Sequence, residues 1–330
     1  MNSLRTLLEL LNQVSDPTTS KSLQHYKMQL LRLFSLIFGR NARIAIFIML
    51  LLVIRDSGYR KSNTTLPRLQ TTNEITWELP DGNIIALGKI ATTHHIDGVE
   101  LVEDSSILRL KIYNNNNQQG YHILNVPEKF NYTLVLPDGT IVQLNAASRL
   151  KIPADFGSKK RELFLEGEGF FDITPNPRQL LTIHCGQADI LALGTSLNVN
   201  NYDNNVQVAL ATGSIIVSAK DTKRQIKPGQ VIIIDSSTGQ MEIDTTKYIS
   251  ALAWLDGHYN TAGKSMEEVK SALERWYGVK IVFDDPDLSK SHFGSAFFRK
   301  EPLDSFLHRL KAAGYLESYE LEEDGKLHLK

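Results

Sequence analysis

The run from Leu136 to Ile152, LPDGTIVQLNAASRLKI, constrains this chain more than any other stretch. A strand closes on Leu-Pro, Asp138-Gly139 turns the chain, and a second strand leaves with alternating apolar residues. Glycine, and to a lesser degree aspartate, tolerates the positive φ that a tight hairpin demands. By pattern the run holds no nucleophile and no metal-ligand set. A near copy, TWELPDG at 76–82, precedes another isoleucine-rich strand, so duplicated hairpins are suggested without establishing a repeat architecture.

The same rhythm fills 120–246. Short apolar runs at 180–184, 188–193, 197–201, 206–210, 215–218 and 231–234 alternate with turns such as Ala211-Thr212-Gly213 and Lys227-Pro228-Gly229. NNNNQQG at 114–120 reads as a polar turn. Many short strands at even spacing predict a mainly β module, and the pattern leaves sandwich, barrel and solenoid-like forms open.

After Trp254 helices return. Ser265-Met266-Glu267-Glu268 reads as a capping box, Met266, Val269, Leu273 and Trp276 form one apolar stripe, and Gly278 suits a left-handed C-cap. A strand is expected over 279–283 and another over 293–298. Pro302 is placed to open a second helix at its first position, with Leu303, Phe306, Leu307 and Leu310 inward and Gly314 ending it. Strands at 315–321 and 326–329 then close a hairpin. The order β-α-β, β-α-β-β predicts a small α+β domain.

The N-terminal part differs in kind. Helical spacing of Leu4, Leu7, Leu8, Leu11 and Val14, a break at Asp16-Pro17 and a second apolar face through Ile37 predict a helical pair up to residue 38. IAIFIMLLLVI at 44–54, flanked by Arg43 and Arg55, is 11 residues long. As a helix it rises about 16 Å, against roughly 30 Å of hydrocarbon. Extension back to Ile37 gives about 27 Å and places Arg40 and Arg43 in the first turns, where long side chains snorkel to the headgroups. A single membrane helix over 37–54 is expected, a buried or interfacial helix being the alternative. Lysines and arginines are balanced on its two sides, so charge gives no orientation. The polar stretch to residue 73 reads as a linker.

Composition narrows the chemistry. Lysine plus arginine total 36 against 37 acidic residues, a formal net charge of −1, which offers no electrostatic case for nucleic acid. Cys185 is the single cysteine, so no intramolecular disulfide forms. His94-His95 and His184-Cys185 are adjacent pairs that point to opposite faces of a strand and cannot act together. Glu166 and Glu168 read as sharing one strand face, a weak basis for acid–base work on a glycan. Asp284-Asp285-Pro286-Asp287 reads as a turn and lacks the spacing of a calcium loop. No metal, cofactor-binding or catalytic set is expected.

LPDGTIVQLNAASRLKIP, ELFLEGEGFFDI, LGTSLNV, ATGSIIV, KPGQ and AWLDGHY recur in an order that resembles the FecR family of single-pass anti-sigma sensors, over roughly residues 121–259. The remainder is similar to the C-terminal domain of those sensors, related to the secretin/TonB short N-terminal fold. The resemblance implies a short cytoplasmic segment at 1–36, a transmembrane helix at 37–54, a linker at 55–73, a FecR-like β domain at 74–256 and an α+β domain at 257–330. It implies an inner-membrane protein with its N-terminus in the cytoplasm and most of the chain in the periplasm. Its implied partners are an extracytoplasmic-function sigma factor, the signalling domain of a TonB-dependent outer-membrane receptor and site-specific proteases, with no direct nucleic-acid contact, no cofactor and no enzymatic role. The 40 or so residues before the membrane are about half the length usual in that family. Some related sensors cleave themselves at a Gly-Thr bond by an N→O acyl shift, and the matching pair is Gly194-Thr195. The alternative is an exported, membrane-anchored β-rich binding or assembly module without sigma-factor control.

Overall fold

Both Leu-Pro-Asp-Gly segments close in the same way. Leu79 N–H donates to the Asn83 carbonyl (2.8 Å) and Leu136 N–H to the Thr140 carbonyl (2.9 Å). In each, the turn aspartate accepts from the amide two residues on, Asp81 from Asn83 at 3.0 Å and Asp138 from Thr140 at 2.9 Å. Gly82 and Gly139 carry φ of 88° and 84°, the left-handed region that favours glycine. The expected duplicate hairpin is therefore real, and Glu322–Lys326 repeats the same bonds a third time around Asp324-Gly325.

The computed structural model describes residues 74–330 except 89–90, 97, 105–106, 114–118, 159, 204, 262 and 293–295. The cytoplasmic segment, membrane helix and linker expected at 1–73, with the flanking Arg43 and Arg55, lie outside the described residues, as does most of the 114–120 turn. Among the described residues no helix is long and apolar enough to cross a membrane.

Two antiparallel-rich sheets dominate. The first runs, edge to edge, Thr222–Ile226, Ile215–Ala219, Ala188–Ala192, Leu181–Cys185, Arg161–Glu166, Ser148–Pro153, Tyr121–Val126, Thr76–Glu78 and Ile84–Ala86. The second runs Met241–Asp244, Val231–Asp235, Asn205–Thr212, Ser196–Asn200, Glu168–Asp172, Ile141–Leu144, Tyr132–Val135, Ile107–Ile112, Val99–Asp104 and Thr92–Ile96. Neither sheet closes on itself among the described residues, which removes the barrel. From Tyr132 onward the chain crosses between sheets after every one or two strands and adds each to the same advancing edge. The result is a sandwich laid down with the progression of a solenoid.

One apolar core fills the space between the sheets, with Trp77, Leu124, Leu134, Val142, Leu150, Phe171, Ile190 and Val208 buried in it. Alternation along each strand sends every second side chain inward, which is why the period-2 pattern was readable. Arg161, at 2 % exposure, is the most deeply buried charged side chain among the described residues. Its guanidinium donates to Asp138 and to the carbonyls of Gln179 (3.0 Å) and Thr174 (3.1 Å), so the turn aspartate also anchors a buried cation. A buried charge persists only when paired and hydrogen-bonded in this way.

Beyond the sandwich come helix α1 (Tyr248–Leu252), a 3-10 turn at Ala253–Asp256, strand His258–Asn260, helix α2 (Met266–Tyr277), strands Lys280–Phe283 and Ala296–Phe298, helix α3 (Leu303–Ala312) and strands Tyr319–Leu321 and Lys326–Leu329. The expected order of elements holds. The capping box is formed, with Ser265 accepting from Glu268 N–H, and Gly278 caps α2 at φ 62°. Two details differ. Pro302 is the N-cap of α3, one residue before the helix, with extended ψ of 143° and its carbonyl accepting from Phe306 N–H. The strand expected at 315–321 is confined to Tyr319–Leu321, because Glu317 and Ser318 bend to hydrogen-bond the last carbonyl, that of Lys330. The strands split into an antiparallel pair, His258–Asn260 with Ala296–Phe298, and a three-stranded sheet in which Lys326–Leu329 is central.

Candidate functional site: a buried polar junction

Glu166 and Glu168 do not share a strand face. Gly167, at φ 101°, breaks the strand between them, so Glu166 ends a strand of the first sheet and Glu168 begins one of the second. Only glycine fits there: an added Cβ would stand 2.5 Å from Ser148 Oγ and 2.8 Å from its Cα. Glu166 is exposed, whereas Glu168 is buried at 6 % exposure. The acid–base pair is thereby dissolved, and Glu168 acquires a different setting.

Its carboxylate accepts from Asn198 Nδ2 (3.0 Å) and Asn145 Nδ2 (2.7 Å), and its backbone N–H donates to Ser148 Oγ (2.9 Å). Burial holds the carboxyl above the usual carboxylate range, opposed first by the Asn198 and Asn145 amides. The two asparagines carry the network into the α+β part. Trp254 Nε1 donates to Asn198 Oδ1 at 2.9 Å, and Arg299 Nη2 donates to Asn145 Oδ1 at 2.5 Å. The Arg299 guanidinium lies over the Trp276 ring at 4.5 Å, and Arg275 lies over Tyr202 at 3.7 Å. Tyr202 in turn donates its hydroxyl to the Ala146 carbonyl.

Apolar contact and a second polar seam complete the junction. Ala146 is part of the core that holds Trp254, Val269, Trp276, Phe297 and Phe306, and Phe170 packs against it. Lys129 N–H caps the Arg275 carbonyl at 2.8 Å near the end of α2, and Lys280 pairs with Glu128 at 3.3 Å. Beside Glu168 a cleft of about 400 Å³ is lined by Asn200, Asp203, Gln207, Lys264 and Arg275 among others. The floor of that cleft, Glu168 with Asn145 and Asn198, is hydrogen-bonded within itself and to Trp254 and Arg299, so the arrangement ties the two modules together.

The remaining sequence candidates disperse. His95 lies 3.6 Å from Glu100, and His184 Nδ1 sits 2.7 Å from Asp189 while stacking on Phe164. Cys185 is buried, and burial pushes its thiol up. Asp285 accepts from the amides of Asp287 and, through its carbonyl, Leu288, as a turn requires. Among the described residues no group of three histidine, cysteine or acidic side chains is placed to hold a metal. At Gly194-Thr195 the chain is crowded: a Cβ on Gly194 would come 2.6 Å from Pro175 Cγ. The Thr195 side chain is buried, and its hydroxyl has no hydrogen-bond partner among the described residues.

The sequence reading missed Asn145, Asn198, Tyr202, Arg275 and Arg299 as a set. A signal was present. Phe170 and Ala209 interrupt the alternation on the outward phase of their strands, and both sides of a strand read apolar only where both faces are covered.

A two-sheet sandwich with an α+β module seated on its outer face by a buried carboxylate defines a two-module interaction scaffold. Residues 123–216 match the FecR protein family and residues 260–327 the FecR C-terminal family. The chain belongs to the FecR family. Its fold is similar to two crystal structures of a candidate anti-sigma factor from Parabacteroides distasonis ATCC 8503, at 1.65 Å and 2.50 Å resolution. Each shares 26 % identity at a TM-score of 0.55, over 63 % of this chain and 98 % or 97 % of that one. No curated protein matches the chain.

Proposed function

We propose that this chain is an anti-sigma regulator that crosses the inner membrane once. On this reading the N-terminal segment holds an extracytoplasmic-function sigma factor in the cytoplasm. The sandwich and the α+β module stand in the periplasm and contact the signalling domain of a TonB-dependent outer-membrane receptor, and regulated proteolysis frees the sigma factor. The protein acts through contacts, with no cofactor. One observation carries the reading: both FecR modules occur in family order, and the likeness to a candidate anti-sigma factor spans nearly all of that protein.

The test is co-purification of the detergent-solubilised full chain with the extracytoplasmic-function sigma factors of its own organism, together with reporter transcription in a deletion strain. Retention of the sigma factor and altered transcription are expected. No retention and unchanged transcription would instead favour an exported module without sigma control. Cleavage at Gly194-Thr195 belongs to the same proposal, and its readout is mass: two fragments parting at that bond support it, and one intact species that persists on standing removes it.

A further inference from the structure

The three-stranded sheet of the α+β module has two outer strands, and the structure treats them differently. At Lys280–Phe283 the outward amide of Ile281 is already taken, donating to Glu274 Oε1 of α2 at 2.9 Å. Lys280 beside it is tied to Glu128 of the sandwich. That side is blunted by α2 of its own module, with the Lys280–Glu128 pair beside it.

The opposite side is open. Ser318 exchanges hydrogen bonds with Lys330, and Glu322 N–H donates to the Lys326 carbonyl. In an antiparallel ladder such pairs alternate, so Glu320 faces inward to His328 while Tyr319 and Leu321 turn their N–H and C=O groups outward. These are the groups an incoming strand uses. Leu321 is 54 % exposed, an apolar side chain on an edge that many proteins would guard with lysine.

Charge names the occupant. Glu317, Glu320, Glu322, Glu323 and Asp324 crowd this edge. Lys326 and Lys330 answer Asp324 (2.6 Å) and Glu320 (3.4 Å), which leaves the edge acidic. We propose that Tyr319–Leu321 is a docking edge that accepts an extended, lysine- or arginine-bearing strand of a partner protein by β-augmentation. The inference rests on the reading of the exported modules as partner-contacting, and it names the surface and the chemistry of the contact.

The experiment is amide hydrogen exchange on the detergent-solubilised full chain, with an alternating Lys-Val hexapeptide as probe and its Glu-Val counterpart as control. Slowing of about tenfold at Tyr319 and Leu321 with the basic peptide alone, weakening as salt rises, is expected. Leu321→Pro removes one outward N–H without touching the inner ladder and abolishes the protection. A Glu317→Lys, Glu323→Lys double variant keeps every backbone group and shifts preference to the acidic peptide. Protection at Lys280–Phe283 instead, equal protection by both peptides, or none, overturns the proposal. So does concentration-dependent protection without peptide that includes Thr222–Ile226, the edge bearing Lys223 and Arg224, since that reports a second copy. Sigma-factor retention is read on the same preparations: its persistence while the peptide fails condemns the docking edge alone, and its absence condemns the regulatory reading.

Discussion

The sandwich and the α+β module solve the same burial problem with different materials. The sandwich buries long alternating runs between two sheets, and its most deeply buried charge, Arg161, is paired with Asp138. The α+β module is small, and its core is not its own: Ala146 and Phe170 of the sandwich help close it, and the Glu168 network fastens it in place. A large module can be specified strand by strand, whereas a small one borrows surface from its neighbour.

That contrast can be broken from the sandwich side first. Arg161→Ala strands Asp138 and empties a buried site, and a loss of about 3–5 kcal/mol is expected in denaturant unfolding. Its effect should reach both modules, because the docking face of the second is built on the first. A change confined to the α+β transition would contradict the dependence.

Acid gives the next effect. His122 is buried against the Trp77 ring, centroids 5.5 Å apart, with neither ring nitrogen hydrogen-bonded among the described residues, and burial lowers its pKa from the usual 6.5 to about 4. The folded state holds the neutral ring, so its contribution is fully present above pH 6.5 and is lost as pH falls toward 4. The loss amounts to about 3 kcal/mol. His122→Phe should flatten the stability–pH curve across that window, measured by chemical denaturation at a series of pH values. An unchanged slope would place the acid sensitivity elsewhere.

The junction itself sharpens the comparison. Glu168→Gln points an amide at one of the two asparagine donors, and a loss of about 1–3 kcal/mol is expected. Calorimetry should show the α+β module parting from the sandwich as a separate, earlier transition. A single undivided transition would mean that apolar contact through Ala146 and Phe170 suffices. The smallest change is Ser265→Ala at the start of α2, expected to cost about 1 kcal/mol and to leave the sandwich untouched, read by helical circular dichroism on heating.

Local chemistry decided much of this molecule from the chain alone. The Asp-Gly hairpins, the alternating strands, the capping box at Ser265 and the glycine cap at Gly278 each depend on residues within a few positions of one another, and each formed. Tertiary structure decided the rest. Glu166 and Glu168 were read on one face because period-2 counting assumes an unbroken strand, and only the close approach of Ser148 to Gly167 reveals the crossing between sheets. The junction joins Asn145, Glu168, Asn198, Trp254 and Arg299 across more than 150 positions, and no local pattern encodes a hydrogen bond of that reach. What separates the two edges of the last sheet is likewise tertiary: α2 packs along one of them and its Glu274 takes the outward amide of Ile281.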